Sequence, residues 1–185
     1  VGGDQTGSGQ GFIIRTTNGG LNWQTQLSGL SSYMSSVYLT GVSTGIAVGD
    51  NGIMYRTTNG GINWNLINSG TSSPLNSVHF ADANTGTCVS DIGEIIRTTN
   101  GGVNWFYNSA SISYNTFYGV KFFDSNTGIL CGSGGVIFKT TDAGNTFSPR
   151  NSSTSKSLKS LSFINSSTGI AVGDTGVIIT TTNGG

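Results

Sequence analysis

Four basic residues stand at matched places along the chain. Arg15, Arg56, Arg97 and Lys139 each precede a Thr-Thr pair, at steps of 41, 41 and 42 residues. Cations recurring at one structural position can form a basic ring on one rim of a repeat fold. Such a ring grips an anionic partner through charge-assisted hydrogen bonds. The same residues also suit an internal use, in which the stem packs on apolar neighbours while the head reaches a carbonyl or a turn carboxylate.

Acid chemistry has fewer openings. Glycoside hydrolysis needs two suitably placed carboxyl groups, and the acids are Asp4, Asp50, Asp82, Asp91, Glu94, Asp124, Asp142 and Asp174. Asp50, Asp91 and Asp174 share one turn position, Asp82 and Asp124 share another, and Asp4 lies in a Gly-rich loop. Only Glu94 breaks the pattern, standing where Phe12, Ile53, Val136 and Val177 stand in other copies. A non-catalytic chain is the expectation. One histidine, His79, with no Cys–His spacing gives no metal set, and no cofactor is expected. Cys88 and Cys131 fall at adjacent offsets of different units, which predicts two buried free thiols.

Bulk properties narrow the partners. Lys+Arg 8 against Asp+Glu 8 leaves a net charge of zero, which removes the electrostatic case for nucleic acid. No apolar run approaches the ~18 residues of a membrane span, so membrane insertion is not expected. Charged residues are 9% of the 185, against roughly 25% in an average domain. Disorder would fit that polarity, but aromatics at 10%, set in short apolar runs, favour a turn-rich β protein.

The elements that position these residues come from a repeat. TGIAVGDNG, TGTCVSDIG, TGILCGSGG and TGIAVGDTG begin at Thr44, Thr85, Thr127 and Thr168, and RTTNGG-type corners follow each. One unit reads as four short strands, over 36–40, 45–49, 53–58 and 63–68. The Asp-Asn-Gly and Asn-Gly-Gly links tolerate φ > 0 and so suit hairpins. Four antiparallel strands in about 41 residues is the size of a propeller blade. A β-solenoid is the competing repeat fold, and the tight hairpins favour blades. The prediction is an all-β propeller or propeller segment in one domain. Its parts are a partial blade at 1–30, blades at 31–70, 71–110 and 111–153, and a partial blade at 154–185, giving 18 strands. Three arrangements fit this count: a window of a longer propeller, an imperfect five-bladed ring, or an open arc that polymerises by strand addition.

The corner phrase has a structural use. Asn18, Asn59, Asn100 and Asp142 can bond N–H groups of their own turns. Trp23, Trp64 and Trp105 offer apolar plates, replaced in the fourth copy by Phe147. This phrase resembles the Asp-box, or bacterial neuraminidase repeat, which turns the third strand of a blade into the fourth. Together with TG-I-A-V-G it is most similar to the photosystem II stability/assembly-factor-like propellers, over essentially the whole chain. Blades of that kind serve glycosidases, sorting receptors, assembly factors and adhesin-like proteins. In the resembled assembly factors an arginine-rich patch is implicated in docking the partner. A sialidase would add a three-arginine clamp and a Tyr–Glu pair, and no such set stands apart from the repeat.

Function is expected where the repeats differ. One position of the first strand reads Tyr38, His79, Lys121 and Ser162, and the innermost strand of a blade lines the central channel. The link into the fourth unit gathers Phe106, Tyr107, Tyr114, Phe117 and Tyr118, an aromatic concentration suited to a protein or glycan contact or to local packing. Asn151 and Asn165 begin glycosylation sequons. The resulting expectation is a secreted or cell-surface bacterial propeller that binds protein or serves as a structural module, its partner a protein or another copy of itself and possible glycan contact left open. The alternatives are a self-assembling fibre subunit, an assembly factor docking a membrane complex, and a carbohydrate-active propeller.

Overall fold

The computed structural model describes residues 2–3, 11–108, 112 and 115–185. Five antiparallel sheets follow one another along the chain. The first holds β1 (Gly2–Gly3), β2 (Gly11–Arg15) and β3 (Gln24–Leu30). The second holds β4 (Met34–Leu39), β5 (Gly45–Gly49), β6 (Met54–Thr57) and β7 (Asn65–Ile67). The third holds β8 (Leu75–Phe80), β9 (Gly86–Ser90), β10 (Ile95–Thr98) and β11 (Phe106–Tyr107). The fourth holds β12 (Phe117–Phe122), β13 (Gly128–Gly132), β14 (Ile137–Thr140) and β15 (Ser148–Arg150). The fifth holds β16 (Leu158–Phe163), β17 (Gly169–Gly173) and β18 (Ile178–Thr181). Among the described residues there is no α-helix, and each sheet pairs its strands in chain order.

Turn chemistry sets the register of each sheet. In the second sheet Asn51 (φ 58°) and Gly52 (φ 70°) both take positive φ, and the Ile53 N–H donates to the Asp50 carbonyl at 3.1 Å. That is the two-residue geometry whose twist suits a hairpin. It pairs Val48 with Met54, Ala47 with Tyr55 and Ile46 with Arg56. A side chain at Gly52 would also strike the Thr71 carbonyl, so space and φ demand glycine together.

Strands β4, β8, β12 and β16 lie side by side, so the first strand of each sheet is the innermost. The core then fills the spaces between sheets. Between the second and third lie Ile46, Val48 and Met54 from one side, and Val78, Phe80, Cys88, Ile96 and Trp105 from the other. Between the first and second lie Ile13, Leu30, Met34 and Ala47, with Ile53, Tyr55 and Trp64 packed against them. Met54 and its neighbours Ile53 and Tyr55 thus serve opposite faces of one sheet. Cover on both faces is what the two apolar faces of this strand require. Cys88 and Cys131 are free and buried.

The three tryptophans differ in a way the repeat does not suggest. Trp105 is 6% exposed, wedged against the second sheet, and meets the Phe80 ring edge-on at 5.8 Å. Trp64 packs against the first sheet. Trp23 is 57% exposed, against the expectation that it packs as a plate. The reason is positional: each ring packs onto the sheet that precedes its own, and Trp23 belongs to the first.

Candidate functional site on the inner strands

The repeated corner is built by a threonine and an Asn or Asp acting together. In the second sheet Thr57 Oγ1 donates to Asn59 Oδ1 at 3.1 Å and accepts the Gly61 N–H at 2.9 Å, and Asn59 Oδ1 accepts the Asn63 N–H at 2.9 Å. Asn18 and Asn100 repeat this with Thr16 and Thr98. Asp142 repeats it with Thr140. Hydrogen bonds from the Thr146 hydroxyl, the Thr146 N–H and the Thr140 hydroxyl hold the Asp142 carboxyl down at about 2. The sequence reading credits Asn and Gly and misses the threonine. Its signal was there: a threonine follows Arg15, Arg56, Arg97, Lys139 and Thr180 in every copy.

The four basic side chains sit half-buried between sheets. Arg56 Nε donates to the Gly101 carbonyl at 2.9 Å, and Lys139 Nζ donates to the Gly184 carbonyl at 2.8 Å. Each therefore ties its sheet to the corner of the next. Arg15 lies against Gly60 and Gly61 of the second corner. Arg97 departs from the set. Its Nε is buried with no partner, while Asn108 Nδ2 donates to the Gly144 carbonyl at 2.6 Å. Its guanidinium lies 5.8 Å from the Phe122 ring centre, and burial lowers its pKa. Asn108 was absent from the sequence reading, because its equivalents, Gln26, Ile67 and Arg150, share no chemistry.

Residues from three neighbouring inner strands converge. Tyr38, His79 and Lys121 occupy equivalent positions of β4, β8 and β12. The Tyr38 and His79 rings meet edge-on at 4.7 Å, and Lys121 Nζ stands 3.0 Å from His79 Nε2. The Phe122 N–H points at His79 Nδ1 from 3.3 Å. Ser162, the fourth member of the row, is exposed on β16. His79 is 8% exposed, and burial, then the charge of Lys121, push its pKa down to about 4. The ring is neutral at pH 7 and has one acceptor nitrogen. Lys121 Nζ faces Nε2 and the Phe122 N–H faces Nδ1, so a neutral ring can accept from only one of the two donors.

The aromatic concentration is divided by the fold. Phe106 and Tyr107 are exposed on β11, the outermost strand of the third sheet. Phe117 and Tyr118 begin β12, the innermost strand of the fourth. Phe117 is 0% exposed and meets Phe138 edge-on at 6.0 Å, so it is core and not a binding residue. The correction has a simple cause: β12 alternates, and the even-numbered neighbour takes the other face. Tyr118 carries Lys159 Nζ 3.6 Å over its ring. Tyr107 Oη donates to Glu94 Oε1 at 2.7 Å, and Thr71 Oγ1 donates to Glu94 Oε2 at 2.7 Å. Tyr114 and Asp4 lie outside the described residues. Among the described residues no group of three or more His, Cys, Asp or Glu gathers to hold a metal.

Comparison with known proteins gives this architecture a family. Residues 6–113 match the family described as "Photosynthesis system II assembly factor YCF48". Among solved structures, YCF48 from Cyanidioschyzon merolae superposes with a TM-score of 0.74 at 19% identity, over 94% of this chain and 64% of that one. A structure of YCF48 bound to D1 peptide gives 0.70 at 18% identity, over 94% of this chain and 53% of that one. The GH74 xyloglucanase from Xanthomonas campestris gives 0.65 at 8% identity, over 85% of this chain and 29% of that one. The chain thus spans less than two thirds of the length of these structures. No curated protein sequence matches it. The structural likenesses establish the β-propeller fold, and the family match covers more than half of the 185 residues. The chain belongs to the YCF48 photosystem II assembly-factor family, whose blades carry the Asp-box corner.

Proposed function

We propose that this chain is a protein-binding propeller of the assembly-factor kind, which docks an extended segment of a partner polypeptide along its inner strands. The family membership supports that reading over the expected secreted structural module, and the solved YCF48 with a D1 peptide supports a peptide as the class of ligand. On this chain the carrying observation is the contest for His79. Lys121 Nζ faces Nε2 and the Phe122 N–H faces Nδ1 of a neutral ring that can accept at only one of them, so when Nδ1 accepts the backbone N–H a carbonyl or carboxylate from a bound segment gives Lys121 a partner of its own. The edge of Tyr38 beside His79 then supplies an apolar flank. Catalysis gains no support from the acids: among the described residues Glu94, the one carboxylate outside the turns, has both oxygens engaged by Tyr107 and Thr71.

The test is calorimetric titration of the chain with a synthetic D1 peptide. Saturable binding that weakens about tenfold in Lys121→Ala supports the inner row. Binding that is indifferent to Lys121→Ala and to Tyr38→Ala places the peptide elsewhere and defeats this assignment. An absence of binding defeats the choice of ligand.

A further inference from the structure

The four basic positions allow a comparison inside one molecule. Arg56 Nε and Lys139 Nζ donate to the corner carbonyls of Gly101 and Gly184, and Arg15 lies against Gly60 and Gly61. Arg97 differs: its Nε is buried without a partner. Its charge is also unbalanced. Among the described residues the one ion pair joins Lys159 and Asp174. Glu94 is turned to the other side of the third sheet, where Tyr107 and Thr71 hold it. A half-buried cation with neither acceptor nor counterion is unfavourable, so an anionic acceptor is the ligand that gains most there.

Two neighbours break the repeat at the same place. The residue paired across from the basic position is Gln24, Asn65 and Ser148 in the first, second and fourth sheets, and Phe106 in the third. Phe106 is 65% exposed, so its ring does not fill core. Asn108 stands where the other copies have Gln26, Ile67 and Arg150, and it donates to the Gly144 carbonyl at 2.6 Å. That bond ties the third sheet to the fourth corner without Arg97. Arg97, Phe106, Asn108 and Asn145 of the fourth corner line one cavity of about 260 Å³ between these sheets. Ordinary ligand pockets begin at roughly 300 Å³, so this one suits a single ring. The Phe122 ring, 5.8 Å away, covers one face of the guanidinium and leaves its edge for a ligand.

We propose that this cleft binds a small aromatic carboxylate. The terminal N–H groups of Arg97 donate to the carboxylate oxygens, and the ring of the ligand lies against Phe106. A neutral carbonyl would meet only the hydrogen-bonding part of what Arg97 lacks, whereas a carboxylate meets the charge as well. The site uses one arginine and not a ring of four. It lies beside β11, the outermost strand of its sheet, apart from the inner row of Tyr38, His79 and Lys121, and it does not rest on the peptide-docking reading.

The experiment is titration of the 185-residue chain with sodium benzoate at constant ionic strength, followed by 1H–15N correlation spectra. Saturable shifts are expected at Phe106, Asn108 and Asn145, with a Kd on the order of 1 mM for so small a ligand. Benzamide keeps the ring without the charge and acetate keeps the charge without the ring, and each is expected to bind at least about tenfold more weakly. Arg97→Leu deprives no carbonyl of its donor and is expected to abolish the shifts while the rest of the spectrum stays unchanged. Arg97→Lys, which keeps the charge and loses the planar fork, and Phe106→Ala are each expected to weaken binding about fivefold. Lys121→Ala is expected to leave the affinity unchanged, which separates this site from the inner row. No saturable shift, benzamide or acetate binding as tightly as benzoate, binding that survives Arg97→Leu, or equal shifts beside Arg15, Arg56 and Lys139 overturns the proposal.

Discussion

Replacing Trp105 with alanine removes the ring that closes the space between the second and third sheets. A buried Trp→Ala change costs roughly 3–5 kcal/mol from lost transfer energy and the cavity left behind. The edge-on contact with Phe80 adds about 0.5–1.5 kcal/mol. One effect runs the other way: Trp105 Nε1 is buried without a partner, and an unsatisfied donor carries a penalty of about 1–3 kcal/mol that the substitution relieves. The balance is a loss of about 3 kcal/mol. Trp23→Ala, the same change at the same corner position, meets solvent on a ring that is 57% exposed and is expected to cost less than about 1 kcal/mol. Trp105→Phe isolates the orphan donor, and its cost is expected below that of Trp105→Ala by at least about 2 kcal/mol. Urea unfolding followed by far-UV circular dichroism reads all three, since fluorescence changes with the tryptophan count. Equal losses at Trp23 and Trp105 refute the claim that the preceding sheet is what buries the ring.

The remaining predictions concern charge, backbone strain and pH. Arg56→Leu leaves the Gly101 carbonyl without its donor and is expected to cost about 1.5–3 kcal/mol, whereas Arg97→Leu, which removes a buried orphan Nε, is expected to cost under about 1 kcal/mol in the same urea assay. Thr175 holds φ 57° where the second sheet has Asn51 and the fourth has Gly134, so Thr175→Asn is expected to raise stability by about 0.5–1 kcal/mol, and a lower urea midpoint would contradict the strain assignment. His79 titrates near 4 in the folded chain against 6.5 in the open chain. The unfolded state binds the proton first, so the His79 contribution is full above pH 6.5 and is lost as pH falls through 4, on the order of 2 kcal/mol. His79→Gln is expected to flatten the urea midpoint between pH 6.5 and pH 4, and an unchanged slope would refute a depressed histidine.

Much of the scaffold was legible because the repeat reports on itself. Asn51-Gly52 announced a hairpin through residues that accept positive φ, and the alternation of Ile53, Met54 and Tyr55 announced a strand covered on both faces. Burial was less legible where it depends on which sheet comes before. Trp23 and Trp105 have the same local sequence, and only their neighbours in space differ. Phe117 failed for another reason: a cluster of aromatics in sequence was split between the outer β11 and the inner β12. The Tyr38, His79 and Lys121 row was legible as one variable register position, but the second donor on the imidazole is the Phe122 backbone N–H facing Nδ1, which no side-chain pattern reveals.

The same comparison of equivalent positions separates scaffold from candidate function. Arg56 and Lys139 each hold the carbonyl of the next corner, and Trp64, Trp105 and Phe147 each fill the space before their own sheet. A side chain that does at one place what its equivalents do elsewhere is explained by the blade. What needs another explanation is a position where an equivalent lacks its usual partner. Arg97 Nε is buried without the corner carbonyl that Arg56 and Lys139 reach, and Lys121 meets a histidine that already faces a donor. One face of the Arg97 guanidinium is met inside the fold by Phe122. For Lys121 the chemistry still wanted is an acceptor, and the carbonyls of an extended polypeptide strand are a class of ligand that offers one.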